Sequence, residues 1–210
     1  LGLTAFNIFF RRMKGKENFN WDFYGGTTVL MRYTLRLLTT QQYERAASLI
    51  CACDLIRKEN IVDLGDESIS IGLWVGGAST PNKNAEARTK YNSLNREKSE
   101  PYNFTVMKCP SCSSQIGKLD KVSRSEKIKG LKIRDGRNGR VVFQCENSEC
   151  EYANEELPLI VVDEYIYENP PSLLLGTVDK FAMIPWNKDV GKLFGFRESK
   201  GVWTRILPPE

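Results

Sequence analysis

The chain has 210 residues, of which 41 % are hydrophobic and 27 % charged, with a net charge of +4 and no histidine. That length and apolar content can form one substantial core, and they exclude a disordered polyelectrolyte. Without histidine, Ser-His-Asp and Cys-His catalysis are excluded. No apolar run approaches the roughly 18 residues of a bilayer span, and Leu1-Gly2-Leu3 is neither an initiator Met nor a signal-peptide n-region. The expectation is a soluble, cytoplasmic protein with no membrane partner.

In chain order, Leu3, Phe6, Phe10 and Met13 recur at helical spacing. With Ile8 and Phe9 they predict a helix buried nearly all round and ending at Arg11-Arg12, followed by a loop from Gly15 to Asn20. Thr27 to Tyr33 is β-branched and aromatic, which predicts a buried strand. Thr39 and Gln42 fit a capping box that starts a long helix through Tyr43, Ala46, Ala47, Ile50 and Ile56. Cys51 and Cys53 lie in this helix two residues apart, a spacing that points them in different directions and suits small core residues.

Ile69 to Val75 reads as a second strand, and Ser79-Thr80-Pro81 as the cap of a polar helix reaching about Lys98. Strands follow at Leu159 to Val162 and Leu173 to Leu175, with Gly176 to Lys180 turning into a short helix. Strands that read as continuous apolar runs, alternating with helices, predict an α/β fold with a parallel sheet covered on both faces.

Between these halves lie Cys109-Pro-Ser-Cys112 and Cys145-Glu-Asn-Ser-Glu-Cys150. Two short-spaced pairs on tight knuckles form a zinc-ribbon pattern, so four thiolates can converge on one tetrahedral Zn²⁺. The alternatives are two disulfides or four unrelated thiols. The expected layout is residues 1–101 and 154–210 as two parts of one α/β domain, with 102–153 a Cys₄ ribbon inserted between them. From Lys118 to Arg140 the basic residues are Lys118, Lys121, Arg124, Lys127, Lys129, Lys132, Arg134, Arg137 and Arg140, against the acids Asp120, Glu126 and Asp135. This loop is either a phosphate-contacting surface or a solvated face.

The chain contains no Gly-x-x-x-x-Gly-Lys-Ser/Thr phosphate loop. Asp163-Glu164, at the end of an apolar strand, has the form of a Mg²⁺ box, and also that of an ordinary solvent-facing strand end. Two strand-to-helix exits are more distinctive. In open α/β sheets, ligands bind where loops leave the carboxyl ends of strands. There, Thr34 with Arg36 and Thr177 with Lys180 are either nucleic-acid backbone contacts or, for the threonines, only helix caps.

These exits carry a resemblance. Thr34 to Gln42 resembles motif Ia of superfamily-two helicases, Gly76-Gly77 resembles the Gly-Gly element that follows, and Gly176 to Lys180 resembles motif Ib. More closely, Gly26 to Leu38 and Pro170 to Ala182 are similar to the helicase subunit of DISARM-type anti-phage defence systems. The resemblance implies a RecA-like sheet, here a fragment between motif I and motif II. It implies DNA and other defence-system subunits as partners. It also implies ATP and Mg²⁺ as cofactors of the parent protein, with this fragment inactive alone and Asp163-Glu164 outside the magnesium box. A non-enzymatic zinc module binding nucleic acid or protein through the basic loop is the competing expectation, and a ribbon that only stabilises the fold is a third.

Overall fold

In a computed structural model, residues 1–18, 24–34, 40–96, 101–118, 128–136, 139–199 and 202–209 are described. Helix α1 (Gly2–Glu17) leads to strand β1 (Val29–Tyr33), α2 (Thr40–Glu59), the short α3 (Ile61–Leu64), β2 (Ile71–Trp74) and α4 (Asn84–Arg96). The cysteine-bearing segment contributes β3 (Gly117–Lys118), β4 (Ile128–Lys129), β5 (Leu131–Arg134) and β6 (Arg140–Phe143). The chain then returns through β7 (Leu159–Ile160), α5 (Asp163–Glu168), β8 (Leu173–Thr177) and α6 (Val178–Ala182). Two 3₁₀ turns and the hairpin β9–β10 (Phe196–Ser199, Val202–Arg205) follow.

Four strands form a parallel sheet in the order β1-β8-β2-β7. Each is a short apolar run, and alternate residues divide between two cores. Ile71, Leu73, Leu173, Leu175 and Leu159 join the larger core, whereas Trp74, Leu174 and Ile160 join the smaller one on the opposite face. This partition is why the inner strands β8 and β2 are buried on both sides instead of alternating with exposed polar residues, while the edge strand β1 carries the exposed Arg32. Gly72 fits because β2 passes close under the next layer: a Cβ there would stand 2.6 Å from Pro171 Cγ and 2.9 Å from Leu174 Cδ1.

Helix α1 departs from its sequence reading. It runs on to Glu17, and its buried residues are Thr4, Ile8, Arg11, Arg12 and Gly15. Leu3 is 80 % exposed, and Phe6, Phe10 and Met13 also face outward. The buried arginines are accommodated because they find acceptors. The Arg11 guanidinium donates to the carbonyls of Tyr24 and Gly25 (both 2.8 Å), of Pro208 (2.9 Å) and of Leu207. A cation can be buried when its donors are satisfied in this way.

Helix α4 also differs, starting at Asn84 and not at Pro81. Its first turn is capped by carboxylates: Glu164 Oε2 accepts from Asn84 N at 2.8 Å, and Glu86 Oε2 accepts from Asn82 N at 3.0 Å. Ser79 and Thr80 take no part in that cap. In α2, Cys51 and Cys53 are buried, as expected of core residues; Thr39 lies outside the described residues.

Candidate metal centre and the carboxyl edge of the sheet

The first knuckle is a tight turn. Ser113 N donates to Cys109 O and Cys109 N to Ser114 O, both at 2.8 Å, with Ser113 at φ 62°. The second is closed by Cys150 N to Asn147 O at 3.1 Å and Asn154 N to Cys145 O at 3.0 Å. The two turns bring Cys109, Cys112, Cys145 and Cys150 together with all four Sγ atoms within 4.8 Å of one another. Cys109 and Cys150 are 3.9 Å apart, and Cys112 and Cys145 are 3.5 Å apart.

A disulfide needs about 2.05 Å, and all six cysteines are free. Four thiolates on a tetrahedral ion with metal–sulfur bonds of about 2.3 Å stand ~3.8 Å apart, and the observed separations fit that arrangement. Burial pushes the Cys109 thiol up to about 11. At Cys112 burial acts in the same direction but is outweighed by hydrogen bonds from Ser114, which bring that thiol down to about 6. A bound cation would hold all four deprotonated.

The ribbon shares its core with the sheet. Cys109, Cys145, Cys150, Phe104, Ile116, Phe143 and Tyr152 belong to the same apolar cluster as Ile71, Leu73 and Leu175. Tyr152 donates its hydroxyl to Cys51 O at 2.9 Å, with Asp54 Oδ2 at 3.4 Å. Ser48 Oγ donates to Pro110 O at 2.8 Å, and Lys58 Nζ lies 4.4 Å from the centre of the Tyr152 ring. Asp54 is a junction: its Oδ1 accepts from Arg57 Nε (2.7 Å), Ser68 Oγ (3.1 Å) and Ile69 N (2.8 Å).

The described basic residues of the 118–140 segment are largely occupied. Lys132 pairs with Glu146 at 3.1 Å, Arg134 donates to Gln144, and Arg140 pairs with Asp135 at 2.8 Å and with Glu156. Lys121, Arg124, Lys127 and Arg137 lie outside the described residues.

At the carboxyl edge of the sheet, Tyr33 of β1 is in register with Thr177 of β8, so the two exits leave side by side. Thr34 is exposed, whereas Thr177 is 1 % exposed. Arg36 lies outside the described residues. Lys180 turns inward to Asp163 Oδ2 and lies 3.2 Å from Asn82 Oδ1.

Burial raises the Asp163 carboxyl above its ordinary range, opposed by the Lys180 ammonium and the Tyr167 hydroxyl. Trp74 Nε1 donates to that hydroxyl at 2.9 Å. Sequence reasoning missed this Trp74–Tyr167–Asp163–Lys180–Asn82 group. Its directly bonded members are up to 98 residues apart, and the sequence singled out Asp163 and Lys180 separately, with nothing to join them to each other or to Trp74, Tyr167 and Asn82. Asp163-Glu164 is not a solvent-facing pair, because Asp163 is held by Lys180 and Glu164 caps α4.

Fold and site together define a parallel α/β sheet onto which a four-cysteine centre able to hold a metal ion is packed. No protein-family model matches the chain. Over 201 residues it is 34 % identical to the DISARM protein DrmA of Bacillus paralicheniformis, covering 93 % of this chain and 17 % of that protein. The chain thus spans about one sixth of the length of the curated relative it matches, and the likeness supports a DISARM-related origin. Among the described residues no helix is long and apolar enough to cross a membrane.

Proposed function

We propose that the chain is the nucleic-acid-contacting stretch of a DISARM-type helicase or translocase motor, with a structural Zn²⁺ held by Cys109, Cys112, Cys145 and Cys150. The observation that carries this reading is the 34 % identity to a DISARM protein along 93 % of the chain. In the parent protein, ATP and Mg²⁺ would be held by segments outside these residues, and the work would serve anti-phage defence beside other subunits. The adjacency of Tyr33 and Thr177 supports the role of the edge. The loops resembling motifs Ia and Ib leave neighbouring strands, so one nucleic-acid backbone can touch both.

Thr34 and Arg36 would bind phosphate from one exit. Lys180 would contribute positive potential from the other, where Thr177 anchors the turn. Such contacts are sequence-independent and salt-sensitive.

The test is binding of labelled single-stranded DNA by the zinc-loaded chain across a salt series. The combined Thr34→Ala, Arg36→Ala, Lys180→Met variant should bind more weakly at every salt concentration, with the salt slope shallower by about one to two. Unchanged affinity and slope in that variant would end the proposal.

A further inference from the structure

The apolar side of helix α1 lies open to solvent. Leu3, Phe6, Phe10 and Met13 recur at helical spacing and form one stripe along it, and they are between 51 and 80 % exposed. The opposite side docks on the remainder of the chain, with Thr4, Ile8, Arg11, Arg12 and Gly15 buried. An amphipathic surface helix ordinarily does the reverse, turning its apolar stripe to the core.

The stripe carries no charge of its own. Phe6 and Phe10 stack with ring centres 5.8 Å apart and planes 12° apart. Lys14 pairs with Glu17 at 2.6 Å and Lys16 with Asp63 of α3, so these two lysines of the last turns already have counter-charges within the chain. Apolar surface free of charge is the composition of permanent interfaces, whereas transient ones are more polar. Its area is small, however. At about 200 Å² of side chain each, four partly exposed residues offer roughly 500 Å², short of the ~800 Å² per partner of a stable complex between separate molecules. A segment of the same polypeptide does not need that area, because tethering removes most of the cost of association.

We propose that in the parent protein this stripe is covered by further chain of the same polypeptide, through a segment that presents aliphatic and aromatic side chains. The DISARM protein matched above is about six times as long as this chain, so a protein of that size has ample chain to supply the cover. The inference rests on that kinship and goes beyond the nucleic-acid reading.

Hydroxyl-radical footprinting of the full-length parent and of the isolated zinc-loaded chain tests it, read at Phe6, Phe10 and Met13 by peptide mass spectrometry. In the parent these residues should be labelled about tenfold more slowly than in the isolated chain, as exposed side chains become buried ones. Equal labelling in the two would overturn the proposal. Protection of the parent only when another subunit is added would give the face to that subunit, and protection of the isolated chain as its concentration rises would give it to a second copy; either would overturn the proposal too.

The combined Phe6→Gln, Phe10→Gln variant gives a second reading. It should leave the melting temperature of the isolated chain nearly unchanged, since neither ring belongs to the chain's own core, and should lower that of the parent. An unchanged parent, or an equal fall in both, would overturn the proposal. No nucleic acid enters either measurement, so the backbone contacts proposed above stand or fall separately.

Discussion

Tyr152 of the cysteine ribbon donates its hydroxyl to the carbonyl of Cys51 in α2 at 2.9 Å. That bond joins the metal-centre segment to the helix lying against the sheet, and apolar packing continues across it without a break. The ribbon is therefore a load on the main core, and the consequences can be measured.

Chelation should destabilise the whole chain and not the ribbon alone. Structural zinc sites contribute on the order of 10 kcal/mol to the folding of small domains, and here three of the four thiols are buried. Zinc analysis should give one ion per chain. A strong chelator should lower the melting temperature of a single cooperative transition followed by far-UV circular dichroism. A melt indifferent to chelator would count against a metal at this site.

Thiol accessibility should follow burial. In the metal-loaded chain, alkylation at neutral pH should be slow at all six cysteines. After metal removal, Cys112 should react first, since it is the only one of the six not fully buried and its thiol is held down at about 6. Cys53, pushed up to about 11 by burial, should stay protected until unfolding. Peptide mapping after timed alkylation reads the order, and early labelling of Cys53 would contradict it.

Asp54→Ala should be among the most damaging single changes. It removes the acceptor of Arg57, Ser68 and Ile69 at once and leaves a 6 % exposed arginine without its carboxylate. Breaking a buried pair in this way costs about 3–5 kcal/mol, which urea unfolding would register. Tyr152→Phe, losing the hydroxyl's contacts to Cys51 O and Asp54 Oδ2, should cost about 1 kcal/mol.

Gly72→Ala should cost roughly 1–3 kcal/mol by overpacking, because the new Cβ would meet Pro171 and Leu174 inside 3.0 Å. Gly76→Ala, with nothing within 4 Å, is the control and should be close to neutral in the same denaturation assay.

The sheet was legible because Ile71–Trp74 and Leu173–Thr177 are buried on both sides of the strand and Val29–Tyr33 is apolar but for the exposed Arg32, a pattern few other environments tolerate. The cysteine cluster was legible because spacing alone dictates two knuckles. Helix α1 was not. Its apolar residues predict a helix buried nearly all round, but which side the remainder of the chain covers depends on acceptors for Arg11 that are 13 to 197 residues away. The start of α4 was hidden for a similar reason, since the carboxylate that caps it belongs to Glu164, 80 residues on. The polar group around Asp163 was equally hidden, because no local pattern joins Trp74 to Tyr167 or Asn82 to Lys180.

Arg11 also sets a clock. Among the described residues, two of its carbonyl partners belong to Leu207 and Pro208, 196 and 197 residues further along. At synthesis rates of about 5–20 residues per second, roughly 10–40 s separate the emergence of the guanidinium from that of its last acceptors. Throughout that interval Arg11 lacks these two acceptors, so the complete docking of α1 is a late event in the life of each new chain.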